Sequence, residues 1–370
     1  MRITSITGYA LAVPRAPFKW RRGHPAGGEI RRPFLLKIET DGGIEGYCFG
    51  LGQAEELGIV LRNQMAELIG TPVSDREAIW QKYWDKARPS NDMVALLGMI
   101  DVALWDIAAK RAGLPLYQAL GAYRHKIKAY ASTFTLDTVD DYVRLARDCV
   151  DRNYRAIKMH LFGDAREDIE ACRAVRQAVG PDIALMIDAS AAYDYESALW
   201  AGRELEKLDF EWFEEPVRDY SMRVLSELHQ RLNVPLCVAE ISMDGLWDVA
   251  NHIRARTGSI IHAGWARKGG ITGLMKIAHL CEANGMRMQI HRGEIPSLHV
   301  GLAIANCTYV EQIVPEDSFH FCLKTPPVTP DSDGYVRPPE GPGLGYDIDW
   351  DEVALRTEWT AAVGDVMARA

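Results

Sequence analysis

The middle of the chain repeats one pattern. Short apolar runs each end on a charged or polar side chain: Ala156-Ile-Lys-Met-His160, Ala184-Leu-Met-Ile-Asp188, Glu211-Trp-Phe-Glu214 and Leu236-Cys-Val-Ala-Glu240. Between them lie stretches with helical periodicity, such as 168–179 and 196–208. Buried strands of this length alternating with amphipathic helices predict βαβ units and a parallel sheet. The other strand candidates are 128–132, 259–263, 287–291 and 308–312, and eight such strands predict a closed α/β barrel.

The flanks read differently. Ile3–Val13, Pro33–Glu39 and Ile44–Phe49, the last pair joined by an Asp41-Gly42-Gly43 turn, predict an antiparallel meander. Residues 53–69, 75–86 and 92–112 carry apolar side chains at helical spacing, and Asp101 and Asp106 inside the last stretch read as satisfied structural acids. Beyond Lys324 prolines and glycines dominate, as in Gly341-Pro-Gly-Leu-Gly345. That tail is expected to pack back on the N-terminal region, with a last short element from Asp349. The expected division is 1–125, 126–325 and 326–370.

Composition narrows the function classes. A chain of 370 residues has room for a barrel and a second domain. A net charge of −9 argues against a general polyanion binder, so no nucleic-acid partner is expected. Seven dispersed cysteines without a CxxC pair suggest reduced thiols and a cytoplasmic location. Met1–Val13 mixes Ser and Thr among apolar residues and reads as a strand rather than a signal peptide. The apolar run Met93–Ile100 is cut by Asp101 and Asp106, so no membrane partner is expected. A homo-oligomer is expected.

Candidate chemistry sits at the strand ends. Asp188, Glu214 and Glu240 recur 26 residues apart. In a closed barrel these ends form the mouth, where catalytic groups gather. Three carboxylates converging there repel one another unless a cation lies between them, and an all-oxygen ligand set favours a hard ion such as Mg²⁺. Solvated acids at strand ends are the plainer reading. Three in phase, with Lys158 and His160 one strand earlier, favour the metal. Residues 14–32 form a long segment for a compact domain and carry Trp20, Arg22 and His24. They are read either as a mobile basic loop or as a lid over the substrate.

The ordered set Ile100-Asp-Val-Ala-Leu-Trp-Asp106, Gly113-Leu-Pro115, Lys158-Met-His160, Asp188, Glu214-Glu-Pro216, Glu240, Gly269-Gly-Ile-Thr272, His291 and the Gly-Pro-Gly-Leu-Gly tail resembles the enolase superfamily, in its mandelate racemase-like branch (mandelate racemase/muconate lactonizing enzyme family). The resemblance implies a modified TIM barrel of (β/α)7β type under an α+β capping domain built from the N-terminal region and the C-terminal tail. It implies Mg²⁺-assisted removal of a proton α to a carboxylate, with Asp188, Glu214 and Glu240 as ligands and Lys158, His160 and His291 as acid/base groups. Enzymes of this superfamily are a standard case of a lysine or histidine base working with Mg²⁺. There are two departures. The second residue of the basic pair is His160, where the family often has lysine. The position five residues before the double glycine, where the family has an acid or a lysine, is Gly264. His262 is read either as a displaced partner for His291, reaching toward the substrate, or as a core histidine.

The chemistry expected of these residues follows. Residues i and i+2 of a strand share a face, so Lys158 and His160 point into the mouth together. Like-charge repulsion from Lys158 is expected to keep His160 neutral and basic, while Lys158 could instead contact the substrate carboxylate. His291, on the seventh strand, is expected to protonate a leaving β-hydroxyl or to return a proton to the α-carbon. Glu311, if protonated, would donate to the enediolate oxygen. The leading reading is a lyase that dehydrates a sugar acid to a 2-keto-3-deoxy acid. The alternatives are a racemase or epimerase of a 2-hydroxy acid and a metal-binding paralogue without turnover.

Overall fold

The computed structural model describes residues 1–15, 18–19, 22, 28–50, 54–87, 91–242, 245–292, 294–314 and 322–364. The chain opens with β1 (Ile3–Leu11), a two-residue ribbon of β2 (Val13–Pro14) with β3 (Ile30–Arg31), then β4 (Phe34–Thr40) and β5 (Gly46–Gly50). Helices α1 (Ala54–Gln64), α2 (Arg76–Ala87), α3 (Asn91–Ala112) and α4 (Leu116–Ala119) follow. The first sheet is antiparallel, in the order β15-β1-β4-β5, because the last strand, β15 (Thr357–Gly364), returns to pair with β1 after α12 (Trp350–Arg356). The tail therefore completes the N-terminal sheet and is more than a loop. Phe34, Leu36, Ile38 and Cys48 bury one face of that sheet in the large core that also takes in α1 and α3.

The barrel strands are β6 (Ile127–Thr133), β7 (Ala156–His160), β8 (Ala184–Asp188), β9 (Phe210–Glu214), β10 (Leu236–Val238), β11 (Ile260–Ala263), β12 (Arg287–Ile290) and β13 (Tyr309–Val314). All eight pair in parallel, and β13 closes on β6. Seven helices, α5 (Val139–Asp151), α6 (Ala165–Val179), α7 (Tyr195–Lys207), α8 (Met222–Arg231), α9 (Gly245–Ala255), α10 (Gly270–Ala283) and α11 (Ile295–Ala303), follow the first seven strands in turn. This is the (β/α)7β order. A short strand, β14 (Tyr335–Val336), runs antiparallel to β6. Capping starts several helices where the side chains predict it: Thr138 and Asp141 form a capping box on α5, and Asp164 and Asp194 cap α6 and α7.

The barrel interior is packed. Tyr130, Met186, Trp212, Cys237 and Ile260 fill its lower layer and leave no room for a pore. Two buried acids tie the N-terminal helices to the rest. Asp101 on α3 accepts from the backbone N and the hydroxyl of Thr272 at 2.8 and 2.6 Å. Asp106 accepts from the backbone N of Tyr47 and of Leu344 and from Lys110 Nζ. Trp80 of α2 stacks with Trp84 and with Trp247 of α9, and Trp80 Nε1 donates to Gly269 O at 2.8 Å. Among the described residues no helix is long and apolar enough to cross a membrane.

Candidate active site

Strand register sets the site. His160 lies level with Asp188, and Asp188 with Glu214. One carboxylate oxygen from each of Asp188, Glu214 and Glu240 falls within 4.8 Å of the other two. Glu240 reaches this group from a turn rather than from a strand. The ladder stops at Val238, and Ala239 adopts a left-handed φ of 76°, which swings the next residue into the mouth. His291 likewise stands one residue past its strand.

Lys158 is fully buried beneath these acids. Its Nζ lies 2.9 Å from Glu214 Oε2, 3.1 Å from Glu311 Oε1 and 3.6 Å from Asp188 Oδ2. Burial acts to lower its pKa, but Glu214 and Glu311 carry it well above the ordinary lysine value. With three carboxylates around it and 1% exposure, it is part of the floor of the site. The reading in which it contacts the substrate carboxylate has no support in this geometry.

Two other expectations change. His160 Nδ1–H donates to Thr133 O at 2.6 Å, and Nε2 lies 2.9 Å from Asp188 Oδ2. Burial disfavours the imidazolium, yet the Asp188 carboxylate outweighs both burial and Lys158, so the His160 pKa is raised rather than lowered. Burial acts to raise the Glu311 pKa, but the Lys158 ammonium holds it far below the usual carboxylate range, and the carboxylate accepts from the backbone N of Arg292. This arrangement favours an ionised partner of Lys158 over the protonated donor to substrate expected from the sequence.

His262 is also placed differently. Its Nδ1 lies 2.6 Å from Glu214 Oε1, the side chain is fully buried, and Nε2 has no hydrogen-bond partner. The His262 and His291 rings meet edge to face with centroids 5.2 Å apart. His262 therefore holds Glu214 from below. It does not line the groove where a substrate-binding group was expected, and it makes no hydrogen bond to the His291 ring. Gly264 abuts His291 directly, since a Cβ at 264 would lie 3.3 Å from His291 Nδ1. His291 Nε2 turns to Glu240 Oε1 at 3.2 Å, and burial pushes its pKa well below the ordinary imidazole value.

A groove of about 1180 Å³ opens above this floor, lined by His160, Asp188, Glu240 and His291 together with Arg218, Tyr220, Arg267 and Arg292. Arg218, Tyr220, Arg267 and Arg292 were not singled out in the sequence. The available signal was their place one to six residues past a strand end. Glu215 was missed too. It is buried in the groove wall at a φ of 36° and accepts from Glu240 N at 3.2 Å. Burial, and then repulsion from Glu240 and Asp188, raises its pKa. Arg22 docks on the rim: it pairs with Glu167, and its guanidinium lies 4.3 Å from the Phe162 ring centre, next to the loop that follows His160. Trp20 and His24 lie outside the described residues.

The donor set suits a hard divalent cation. All three converging ligands are carboxylates, and Glu240 is raised by burial and by repulsion from Glu214 and Asp188, which a cation between them would relieve. A parallel eight-stranded barrel with an acidic floor and two imidazoles at its mouth defines a class of enzymes that move a proton beside a carboxylate. The chain matches the enolase C-terminal domain-like family over residues 141–353 and the N-terminal domain of the mandelate racemase/muconate lactonizing enzymes over 13–121, and it belongs to that family of the enolase superfamily. It is 28% identical to the arabinonate dehydratase of Saccharolobus solfataricus over 84% of this chain and 87% of that protein. Its fold is similar to that of D-glucarate dehydratase from Agrobacterium tumefaciens complexed with magnesium, with a TM-score of 0.87 at 33% identity, covering 97% of this chain and 100% of that one. It is also similar to L-talarate dehydratase from Polaromonas sp. JS666 complexed with Mg and L-glucarate, with a TM-score of 0.85 at 27% identity, covering 98% and 99%.

Proposed function

We propose that this protein is a Mg²⁺-dependent dehydratase of a sugar acid. It removes the α-proton, expels the β-hydroxyl as water, and releases a 2-keto-3-deoxy acid. The observation that carries this reading is the set of three carboxylates within 4.8 Å of one another, at the bottom of a groove with an imidazole on either flank. Asp188, Glu214 and Glu240 would hold the cation, which supplies positive charge against which a substrate carboxylate can be deprotonated at its α-carbon. The dehydratase relatives support dehydration over epimerisation.

His160 is assigned as the base. Its Nδ1–H is committed to Thr133 O, so Nε2 is the nitrogen that faces the reaction. A cation at Asp188 would offset the carboxylate charge that raises the His160 pKa. Once the charge of Asp188 is engaged elsewhere, Nε2 keeps its lone pair. His291 is assigned as the acid that would protonate the leaving hydroxyl; burial keeps it neutral in the free site, so the role requires the negative charge of a bound substrate to raise its pKa. Lys158 and Glu311 are assigned as the charged floor that fixes Glu214. Seven buried free cysteines support a reducing, cytoplasmic setting. The homo-oligomeric state belongs to the same reading and is measured by light scattering.

The test is a screen of acid sugars for 2-keto product, followed by NMR in D₂O with the best substrate. His160→Asn is expected to abolish both product and α-proton exchange. His291→Asn is expected to block product while exchange persists. Each loss falls on kcat by roughly 10²–10⁴-fold. Exchange that survives in His160→Asn and vanishes in His291→Asn exchanges the two roles. Exchange without any 2-keto product in the unsubstituted enzyme identifies an epimerase.

A further inference from the structure

Lys268 lies one residue before the double glycine and takes no part in the chemistry above. It is 0% exposed. Its ammonium donates to Ala239 O at 3.0 Å, to Ser242 Oγ at 2.7 Å and to Ser242 O. An ammonium has three protons, and here all three go to neutral oxygens of one four-residue turn. Ser242 Oγ in turn donates to Ala239 O at 3.1 Å, which closes the ring. A buried cation with only neutral partners is costly, and an apolar side chain would fill the same space without that cost. The turn that it grips carries Glu240.

That turn needs holding. Ala239 sits at a φ of 76°, a left-handed conformation that is strained for a residue with a Cβ. Such strain persists where the surroundings over-determine it, and it clusters at working sites. Released from it, the backbone would continue the strand and turn Glu240 away from Asp188 and Glu214. Lys268 is itself fixed. Gly269, at a φ of 75°, presents its carbonyl to Trp80 Nε1. Trp247, in α9, packs against Trp84. A line of contacts therefore runs from α2 through Gly269 and Lys268 to Glu240.

We propose that Lys268 is a positioning residue for the metal site, its buried ammonium setting the direction in which the 239–242 turn aims the Glu240 carboxylate. This rests on the reading of Asp188, Glu214 and Glu240 as ligands.

The test is a double-mutant cycle on the full-length protein, read by Mg²⁺ titration calorimetry and by Mn²⁺ paramagnetic resonance, with thermal unfolding alongside. Lys268→Met is expected to weaken cation binding about tenfold or more, the size seen when a supporting partner of a ligand is removed. Combined with Glu240→Gln it is expected to weaken binding no further than Glu240→Gln alone, because both act through one carboxylate. Lys268→Gln, which keeps an N–H donor, is expected to recover part of the loss. If Lys268→Met does not fold, Ser242→Ala takes its place in the cycle, with a smaller loss that is again absent in the Glu240→Gln background. Unchanged affinity in these variants while Glu240→Gln weakens binding overturns the role of Lys268 alone, as do additive losses. Unchanged affinity in both Glu240→Gln and Asp188→Asn overturns the metal-site reading, and the role of Lys268 with it.

Discussion

Among the described residues, the buried acids of the α3 seam and those of the barrel mouth are satisfied in different ways. In the seam between α3 and the rest of the protein, Asp101 and Asp106 take backbone N–H groups of Thr272, Tyr47 and Leu344. At the barrel mouth, Glu214 takes the side chains of Lys158, His262 and Trp212, and Glu240 lies against His291. Asp188 is intermediate: Ser190 N donates to Oδ1, and Oδ2 is left to His160 and Lys158. Backbone donors cannot step aside, so the seam acids act as rivets. Side-chain partners can re-aim, and the mouth acids also share space with one another. Burial alone does not mark an acid as functional. What marks it is whether its partners can give way to something else.

The sharpest way to break this contrast is to neutralise one acid of each kind. Glu214→Gln is expected to abolish Mg²⁺ binding and lower turnover by roughly 10³-fold, with little change in melting temperature. Asp106→Asn is expected to do the opposite, costing about 3 kcal/mol of stability by uncoupling Lys110 and one of the two backbone donors while Mg²⁺ affinity stays the same. Calorimetry and urea unfolding on the two variants decide it. Unfolding in Glu214→Gln, or lost metal affinity in Asp106→Asn, would make the division meaningless.

The sequence carried this contrast unevenly. All eight barrel strands were legible, because buried parallel strands are continuous apolar runs of a length helices do not share. The role of Asp101 and Asp106 was legible from their place inside an apolar helix. The end of β10 was not, because nothing about Ala239 announces a left-handed residue. Lys268 was invisible as a site residue, since a lysine beside two glycines reads as surface. The charge states of His160 and Glu311 could not be read either. The largest opposing charge on each, Asp188 for His160 and Lys158 for Glu311, comes from another strand at a distance the fold decides. The last β-strand was underestimated because Thr357–Gly364 is half exposed, and its pairing with β1 is a contact across the whole chain.

The seam acids also predict a pH dependence of their own. Burial, opposed by the bonds from Thr272, raises Asp101 from 3.8 to about 7. Between those values the folded protein binds a proton that the unfolded chain has lost. Stability contributed by this group therefore falls as pH rises from about 4 to about 7, and it is flat on either side. Asp101→Asn is expected to flatten that part of the profile in urea unfolding measured at pH 5 and pH 8. A profile identical to that of the unsubstituted protein would show that Asp101 keeps its charge throughout, as a mouth acid beside a cation does.

The smallest effects come from glycines, and they sharpen the contrast further. Gly270 brings the backbone up to Asp101: a Cβ there would lie 2.4 Å from Asp101 Oδ2, on a φ of 81°. A rivet leaves no slack, so Gly270→Ala is expected to cost about 2 kcal/mol through the clash and the left-handed backbone. Gly264 faces the mouth. A Cβ there would meet His291 Cβ and Nδ1 at 3.3 Å, a contact that a shift of a few tenths of an ångström relieves. His291 is 19% exposed and borders the groove, so it has somewhere to go. Gly264→Ala is accordingly expected to cost less than about 1 kcal/mol of stability. Its effect should fall on His291, as a several-fold drop in kcat with α-proton exchange in D₂O unaltered. An equal loss of stability in the two alanine variants would mean that the mouth is packed as rigidly as the seam. The partners of its acids could not then re-aim, and a cation would have to bind an arrangement already fixed.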